Sequence, residues 1–296
     1  MNEPRIRTVL IAGAGSSGIG VARSFAKAGF STQVLSRNPA RLQGLLGDVE
    51  ILDKLPSAAP DLIIESIPEH LDLKIRLYRE LEDAYQGASI LATNTSGLPL
   101  EDLAHGLRHP RQFLGTHYLY PADLSEFVEV IRTKETDDTA VDCVVLALRR
   151  CEKTPIVLNR PVIGAMINRL SHALAREAYY LIDEGIVSAE QVDDIARRHL
   201  GPRMCVMGLL MQKDISGLDT HALAQRAIVP HLCRNETPSK TLQTLYEHGH
   251  FGLKTGKGFY DWSKADVARV RSTVAHKLAQ IDSLMKQLES IPNGDD

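Results

Sequence analysis

Short apolar runs alternate with amphipathic stretches along the first 160 residues of the chain. The runs are rich in Val, Ile and Leu, as buried strands are. They lie at 9–13, 32–36, 61–66, 89–93, 112–117, 127–131 and 154–158. Apolar residues recur at helical spacing over 17–29 and 71–85, and a further helix is predicted over roughly 137–151. This alternation predicts an α/β fold with a Rossmann-type, doubly wound sheet.

The strand pattern stops near Pro161, and the chain beyond it has helical periodicity. Helices are predicted over 162–185, 188–200, 223–232 and 239–249, and Ser188 is a favourable N-cap for the second of them. We therefore expect an N-terminal Rossmann-type domain and an all-helical C-terminal domain. The predicted bounds are 1–160 for the first domain, 161–262 for the second and 263–296 for a C-terminal amphipathic helix.

The C-terminal segment 264–290 has apolar residues spaced three or four apart, close to a heptad pattern. They are Val267, Val270, Val274, Leu278, Ile281, Met285 and Leu288. Two interpretations stay open: a helix that packs on its own protomer, or one that contacts a second protomer or another partner.

Composition narrows the class of protein without changing the predicted fold. The net charge of −3 and the lack of a long basic run give no electrostatic reason to expect nucleic acid as a partner. The apolar run near the N-terminus is too short for a signal peptide or a membrane span, so we expect no membrane partner. The four cysteines form no CxxC pair, which gives no indication of a metal site and fits reduced thiols in a cytoplasmic protein.

The stretch GAGSSG, residues 13–18, follows the first predicted strand and opens a helix. In such a motif Gly13 forms the tight turn, Gly15 lets the backbone approach a pyrophosphate, and Gly18 allows close helix packing. The amides of the first helical turn, at Ser16 and Ser17, then face the phosphates. The position of the motif in a strand–turn–helix unit predicts a dinucleotide site.

The residues after the second predicted strand bear on the choice of cofactor. The acidic residue that would accept hydrogen bonds from a free ribose 2′-hydroxyl is not there, and Ser36 and Arg37 occupy that place. A guanidinium pairs well with a 2′-phosphate, so NADP(H) is favoured. NAD(H) is possible if Arg37 instead stacks on the adenine.

Several runs together resemble the 3-hydroxyacyl-CoA dehydrogenases, in that family's order and close to its spacing. The similarity extends over roughly residues 7–262 and is carried by 65–104, GTHYLYP at 115–121, FVEVI at 127–131, INRL at 167–170 and HFGLKTGKGFYDW at 250–262. The resemblance implies a Rossmann-type domain followed by a helical domain through which subunits form a homodimer. It also implies hydride transfer between a nicotinamide cofactor and a 3-hydroxyacyl or 3-oxoacyl thioester.

The resemblance also implies roles for individual residues. His117 takes the position of the family's catalytic histidine, and Glu129 that of the glutamate paired with it. Ser96 and Asn168 match polar residues around the reacting oxygen. Glu69 and Lys74 match positions that contact the cofactor, and we assign Asn94 to the cofactor site as well.

The chemistry calls for the same residue types. Oxidation of a secondary alcohol removes a proton from oxygen and a hydride from carbon. Histidine has the near-neutral pKa that a proton acceptor needs, and a carboxylate behind it fixes the tautomer and stabilises the imidazolium. The hydrogen-bonding side chains of Ser96 and Asn168 suit an oxygen whose charge changes.

Two departures from the family pattern concern the substrate. Tyr120 replaces an asparagine of the histidine motif, which changes the hydrogen bonding available there. The segment 38–61 is short and offers few cations, Arg41 and Lys54, for the phosphates of CoA. A thioester on an acyl carrier protein, or a small free 3-hydroxy acid, is therefore an alternative substrate. Arg169 and Arg203 are candidates for binding a free carboxylate.

The sequence thus predicts an NAD(P)-dependent dehydrogenase of the 3-hydroxyacyl type. One alternative is a dehydrogenase of a small free 3-hydroxy acid, similar to the carnitine and gulonate dehydrogenases. A second alternative is a dinucleotide-binding protein without catalytic activity, against which the pair His117 and Glu129 argues.

Overall fold

The computed structural model describes residues 6–47, 49–119 and 121–288 of the 296-residue chain. The described residues divide into two compact units, the first ending at Leu170 and the second beginning at Ser171. None of the helices in these ranges combines the length and apolar character that crossing a bilayer requires.

The first unit contains an eight-stranded sheet. Its strands are β1 (Thr8–Ala12), β2 (Ser31–Leu35), β3 (Glu50–Leu52), β4 (Leu62–Glu65), β5 (Ile90–Thr93), β6 (Phe113–Tyr118), β7 (Phe127–Arg132) and β8 (Thr154–Leu158). The spatial order is β3-β2-β1-β4-β5-β6-β7-β8, and the pairs are parallel except for β6 with β7. Strands β2 and β3 therefore lie on one side of β1, and strands β4 to β8 follow in chain order on the other side. The switch point at the carboxyl ends of β1 and β4 is where such folds bind dinucleotides.

Helices cover both faces of this sheet, which explains why its strands are apolar on both sides. The helices of the first unit are α1 (Ser16–Lys27), α2 (Leu71–Tyr85), α3 (Leu100–Ala104) and α4 (Asp138–Arg150). Val9 and Ile11 of β1 belong to the core beneath α1 and α4, and Leu10 belongs to the core beneath α2 and α3. The predicted α/β, Rossmann-type fold is confirmed.

The second unit is helical, as predicted. Its helices, together with α5, which begins in the first unit, are α5 (Ile167–Asp183), α6 (Ala189–Ile195), α7 (Gly201–Met207), α8 (Met211–Ser216), α9 (Leu218–Ile228), α10 (Lys240–Glu247) and α11 (Val267–Gln287). The predicted cap at Ser188 is present: its hydroxyl accepts the N–H of Gln191, and the Gln191 side chain accepts the N–H of Ser188. This reciprocal pair satisfies two amides that the start of a helix leaves without partners.

Three local features differ from the predictions. The segment 38–61 contains β3, whose short apolar stretch gave too weak a pattern to identify. The helix expected from residue 162 begins at Ile167, because Gly164 and Ala165 have positive φ values of 82° and 46° that no right-handed helix accommodates. The boundary between the compact units lies at 170/171, ten residues beyond the expected one.

Candidate active site

The glycine turn between β1 and α1 is shaped by close approaches of backbone. Gly13 has φ 122°, and a Cβ there would lie 2.5 Å from the carbonyl oxygen of Ser66. A Cβ at Gly18 would lie 2.1 Å from the carbonyl oxygen of Gly13. A Cβ at Gly15, by contrast, would meet no atom within 4 Å. Gly13 and Gly18 therefore pack the turn, and Gly15 leaves open space beside the backbone, which fits a pyrophosphate.

The N-terminus of α1 supplies hydrogen-bond donors at that open space. The helix begins at Ser16, and its N-cap, Gly15, has no side chain to bond the first amides. The N–H groups of the first turn have no carbonyl acceptor within the helix, and the helix dipole makes this end positive. The described residues thus fit the phosphates of a dinucleotide at the place that the sequence predicts.

Ser36 and Arg37 follow the carboxyl end of β2, the neighbour of β1. The Ser36 N–H donates to the carbonyl oxygen of Leu52, and its hydroxyl accepts the N–H of Asn38 at 3.1 Å. The Arg37 side chain is exposed. This geometry leaves the guanidinium accessible at the end of the sheet where the ribose of a dinucleotide binds, and NADP(H) preference stays a prediction.

Asn94 connects three elements at the switch point. Its Nδ2 donates to the hydroxyls of Ser17 at 2.8 Å and Ser66 at 3.2 Å, and its Oδ1 accepts the N–H of Tyr118 at 3.0 Å. Asn94 therefore holds the start of α1, the end of β4 and the residue after His117 in one arrangement. Its position beside Ser17 supports the expected place in the cofactor site.

Glu69 organises the loop that carries Ser96. Its Oε1 accepts hydrogen bonds from the Thr95 hydroxyl at 2.5 Å and from the N–H groups of Ser96 and Gly97, both at 2.9 Å. Burial alone would raise the pKa of Glu69, but these hydrogen bonds and the charge of Lys74 lower it below its ordinary value. An ionised Glu69 thus fixes the backbone of Ser96, whose side chain is exposed.

Lys74 is buried beside two carboxylates. Its side chain has no solvent exposure, and its Nζ is 2.6 Å from Glu65 Oε1 and 3.3 Å from Glu69 Oε2. Two carboxylates thus bind the ammonium group, and through Glu69 Lys74 is linked to the loop that carries Ser96. The expected contact of Lys74 with the cofactor stays a prediction.

The partner of Lys74, Glu65, is also fully buried, and sequence reasoning did not assign it a role. Its Oε1 accepts the N–H of Ile67 at 2.8 Å, and its Oε2 accepts the hydroxyls of Tyr78 and Thr93, both at 2.7 Å. Burial and the nearby Glu65 charge raise the pKa of Tyr78 well above its ordinary value, so this phenol stays a donor. The network locks α2 and β5 to the end of β4. In the sequence, the one sign of this network is that Glu65 and Lys74 are charged residues within apolar stretches.

His117 and Glu129 are directly opposite each other on the antiparallel strands β6 and β7. His117 Nδ1 lies 2.6 Å from Glu129 Oε2, and both side chains are buried. As a carboxylate, Glu129 accepts a hydrogen bond from an Nδ1 that carries a proton. Nε2 is then the nitrogen that exchanges a proton with another group. The structure thus brings these two predicted residues together.

The second oxygen of Glu129 is held by the start of α5. Glu129 Oε1 accepts the N–H groups of Met166 at 2.7 Å and Ile167 at 3.1 Å. The positive φ of Ala165 sets the direction of these amides, and helix N-termini favour negative charge. Asn168, the next residue, is thereby attached to the same carboxylate through the backbone. Neither amide contact was expected from the sequence.

Ser96 borders a cavity of about 180 Å³ within the first unit, together with residues that include Ile163 and Ala165. Arg169 lies beside this segment and donates from Nη1 to the carbonyl oxygen of Ile163 at 3.4 Å. Arg203 belongs to the second unit, where it bonds His199. The predicted substitution at Tyr120 falls outside the described residues.

Comparison with known proteins gives the class of this chain. The NAD binding domain model of 3-hydroxyacyl-CoA dehydrogenase matches residues 46–161, and the C-terminal domain model of the same enzymes matches 164–262. The chain belongs to the 3-hydroxyacyl-CoA dehydrogenase family. It is a nicotinamide-dependent oxidoreductase, as the glycine turn and the sheet topology indicate.

Two curated relatives show the range of activities among similar proteins. A 5-formyl-3-hydroxy-2-methylpyridine 4-carboxylate 5-dehydrogenase of Mesorhizobium japonicum is 25% identical and matches 96% of this chain and 100% of its own length. A probable 3-hydroxybutyryl-CoA dehydrogenase of Deinococcus radiodurans is 30% identical and matches 85% of this chain and 99% of its own length.

Solved structures confirm the fold. A crystal structure of an NAD+ dependent 5-formyl-3-hydroxy-2-methylpyridine 4-carboxylic acid 5-dehydrogenase has a TM-score of 0.89 at 24% identity, covering 96% of this chain and 100% of that one. The 3-hydroxyacyl-CoA dehydrogenase of Archaeoglobus fulgidus has a TM-score of 0.68 at 28% identity, covering 94% of this chain and 97% of that one.

Proposed function

We propose that this chain transfers a hydride between a nicotinamide cofactor and a small free hydroxy or oxo acid, with His117 as the acid or base. The observation that carries the proton-transfer role is the 2.6 Å contact between His117 Nδ1 and Glu129 Oε2, with the second Glu129 oxygen held by two amides. A carboxylate bonded on both oxygens cannot rotate away, so the imidazole keeps one orientation and one tautomer.

The residues divide the chemistry between them. When bound, the nicotinamide supplies or accepts the hydride. In the oxidative direction His117 Nε2 takes the hydroxyl proton, and Glu129 stabilises the imidazolium that forms. In the reductive direction the same nitrogen returns the proton to the oxygen. Ser96 and Asn168 donate hydrogen bonds to that oxygen as its negative charge develops.

Two features of the chain favour a free acid. The segment between β2 and β4 is short and has few cations to hold the phosphates of CoA. Arg169 places a guanidinium beside Ile163, a residue that lines the cavity next to Ser96. A guanidinium binds a carboxylate through paired hydrogen bonds, so Arg169 is the residue we assign to the free acid. The Mesorhizobium japonicum relative, whose name includes a free carboxylate, matches the chain nearly end to end.

A thioester substrate is the second candidate. The Deinococcus radiodurans relative and a probable 3-hydroxybutyryl-CoA dehydrogenase of Bacillus subtilis, 28% identical over 88% of this chain, support it. A 3-hydroxyacyl group on CoA or on an acyl carrier protein would use the same proton and hydride chemistry. The two candidates differ in what binds the part of the substrate that does not react.

We also propose NADP(H) as the preferred cofactor and a homodimer as the working form. The exposed Arg37 at the end of β2 supports the first proposal. The second is supported by the helical unit, where large apolar side chains such as Leu210, Tyr246 and Leu278 are 76%, 72% and 60% exposed. Helices with such apolar surface are stable when another surface covers it.

The experiment is a spectrophotometric screen of reduced cofactor, at about 340 nm, with NAD(H) and NADP(H) as alternatives. Acetoacetyl-CoA, its carrier-protein analogue and small free 3-oxo acids are the substrates. Turnover of a free acid at least about tenfold faster, as kcat/KM, than of either thioester supports the proposal, and the reverse order favours the thioester.

His117→Gln tests the catalytic residue in the same assay. Loss of the histidine should lower kcat by a factor of about 10² to 10⁴ on the accepted substrate. The matched control is His276→Gln, at an exposed position of α11. Unchanged turnover in His117→Gln would show that the proton is moved by another group.

A further inference from the structure

The cavity beside Ser96 is lined in part by β7, the strand that carries Glu129 and pairs with β6, the strand of His117. Ile131 lines it and lies two residues after Glu129, so the two side chains point to the same face of β7. Ile131 pairs with Gly115, two residues before His117 on β6. A Cβ at Gly115 would lie 3.2 Å from the Cβ of Ile131, so the absence of a side chain there lets Ile131 pack closely.

The other wall is the turn before α5. Ala165 lines the cavity, is 4% exposed, and directly precedes Met166, whose N–H binds Glu129. Its side chain is a single methyl group at a position where the chain has φ 46°. A larger side chain here would project into the cavity. The volume thus depends on Ala165, and the cavity lies next to the residues assigned to proton transfer.

Size and lining indicate what the cavity holds. An engineered protein cavity of about 150 Å³, lined by apolar side chains, stays dry and binds benzene. The cavity here measures about 180 Å³ and has mostly apolar walls, with Leu98, Leu100 and Pro161 in addition to Ile131 and Ala165. One six-membered ring fits within such a volume.

Charge limits the substituents of that ring. Glu101 is the charged member of the described lining, and its Oε1 accepts the N–H of Lys134 at 3.1 Å. A carboxylate placed against Glu101 would be repelled at short range. The acid group of a substrate therefore lies outside the cavity, on the side of Ile163 where Arg169 bonds the backbone.

We propose that the substrate is a single-ring aromatic or heteroaromatic compound whose uncharged ring fills the cavity formed by Ser96, Leu98, Ile131, Ile163 and Ala165. This inference rests on the proposed function, because it takes the reacting carbon to lie next to the ring and beside Ser96. The ring binds by burial of its apolar surface, and this burial selects it over an acyclic group of the same oxidation state.

Turnover tests the preference. The comparison is 3-hydroxy-3-phenylpropionate with 3-hydroxybutyrate, as kcat/KM for the wild-type protein, and we expect a ratio of at least about ten in favour of the ring. Ala165→Leu should lower that ratio about tenfold, mainly by raising KM for the phenyl substrate. Ala268→Leu, on the exposed surface of α11, is the matched control. A wild-type ratio of one or below would overturn the proposal.

Binding tests the cavity apart from turnover. Benzyl alcohol should shift the methyl NMR signals of Ile131 and Ala165 in the wild-type protein, and Leu98→Trp, which fills the cavity from another wall, should abolish the shift. If benzyl alcohol leaves both signals unchanged, the ring site is wrong even when the enzyme is active. If the shifts occur but neither cofactor supports turnover of any substrate, the ring site stands and the proposed function fails.

Discussion

Replacement of Glu129 by glutamine is the most direct test of the proton-transfer pair. The carboxylate uses Oε1 for the amides of Met166 and Ile167 and Oε2 for His117 Nδ1. A glutamine side chain has one oxygen and one NH₂ group. Two backbone donors hold that oxygen, so the NH₂ group faces His117 and forces Nδ1 to become an acceptor. The proton then moves to Nε2, which can no longer act as the base.

The magnitude follows from what the carboxylate does. Loss of general-base assistance costs a factor of about 10² to 10⁴ in kcat for oxidation, or about 2.7–5.4 kcal/mol of transition-state stabilisation at about 1.36 kcal/mol per tenfold. The KM for cofactor should stay within about twofold, because the hydrogen bonds described for Glu129 go to His117, Met166 and Ile167 and not to the glycine turn. Steady-state kinetics with the best substrate of the screen provides both numbers.

The matched control is Glu80→Gln, at an exposed position of α2. It makes the same chemical change without touching the strand pair. If Glu129→Gln retained oxidative kcat within about twofold of wild type, the argument from tautomer and charge would be refuted. A rise in the KM for cofactor by the same factor as the fall in kcat would refute it too, since it would show a general distortion of the site.

Three further predictions concern the cofactor and the buried network. Arg37→Asp should shift the kcat/KM ratio of NADP(H) to NAD(H) by at least about tenfold towards NAD(H), because the aspartate repels a 2′-phosphate; a ratio unchanged within about twofold in cofactor titrations contradicts this. Lys74→Met should lower the free energy of unfolding in urea by about 3–5 kcal/mol, since it leaves Glu65 buried without its cation, and addition of Glu65→Gln should recover part of the loss. The lowered pKa of Glu69 makes its contribution to stability complete above the ordinary carboxyl pKa and lost as pH falls through the lowered value. The stability difference between wild type and Glu69→Gln, measured by urea unfolding from about pH 7 to about pH 3, should therefore shrink with acid, and a difference that grows would contradict the assignment.

Much of the fold could be predicted because its signals are local. The apolar runs of β1 and β4 are buried on both faces, so their composition alone marks them as central strands. Ser188 caps α6 through a residue three positions away, which is within one helical turn. β3 escaped prediction because its three residues have too short a pattern, and its pairing with β2 decides that it is a strand.

The candidate site shows the same division. The glycine turn can be found from spacing, since the motif and the helix it opens are adjacent in sequence. Lys74 could not be placed, because a lysine on an amphipathic helix usually faces solvent. Here two carboxylates from outside its helix, Glu65 and Glu69, bind its ammonium group in the interior.

The sequence by itself determined the central strands and the helices that flank them, the dinucleotide turn and the residue types needed for hydride chemistry. Only the tertiary structure decided how Glu129 is held on both oxygens and that Ala165 leaves a ring-sized cavity next to it. The reason is physical: a helix start and a glycine turn are set by neighbours along the chain. A buried carboxylate and a cavity are set by groups that meet in space after folding, here from β6, β7 and the start of α5.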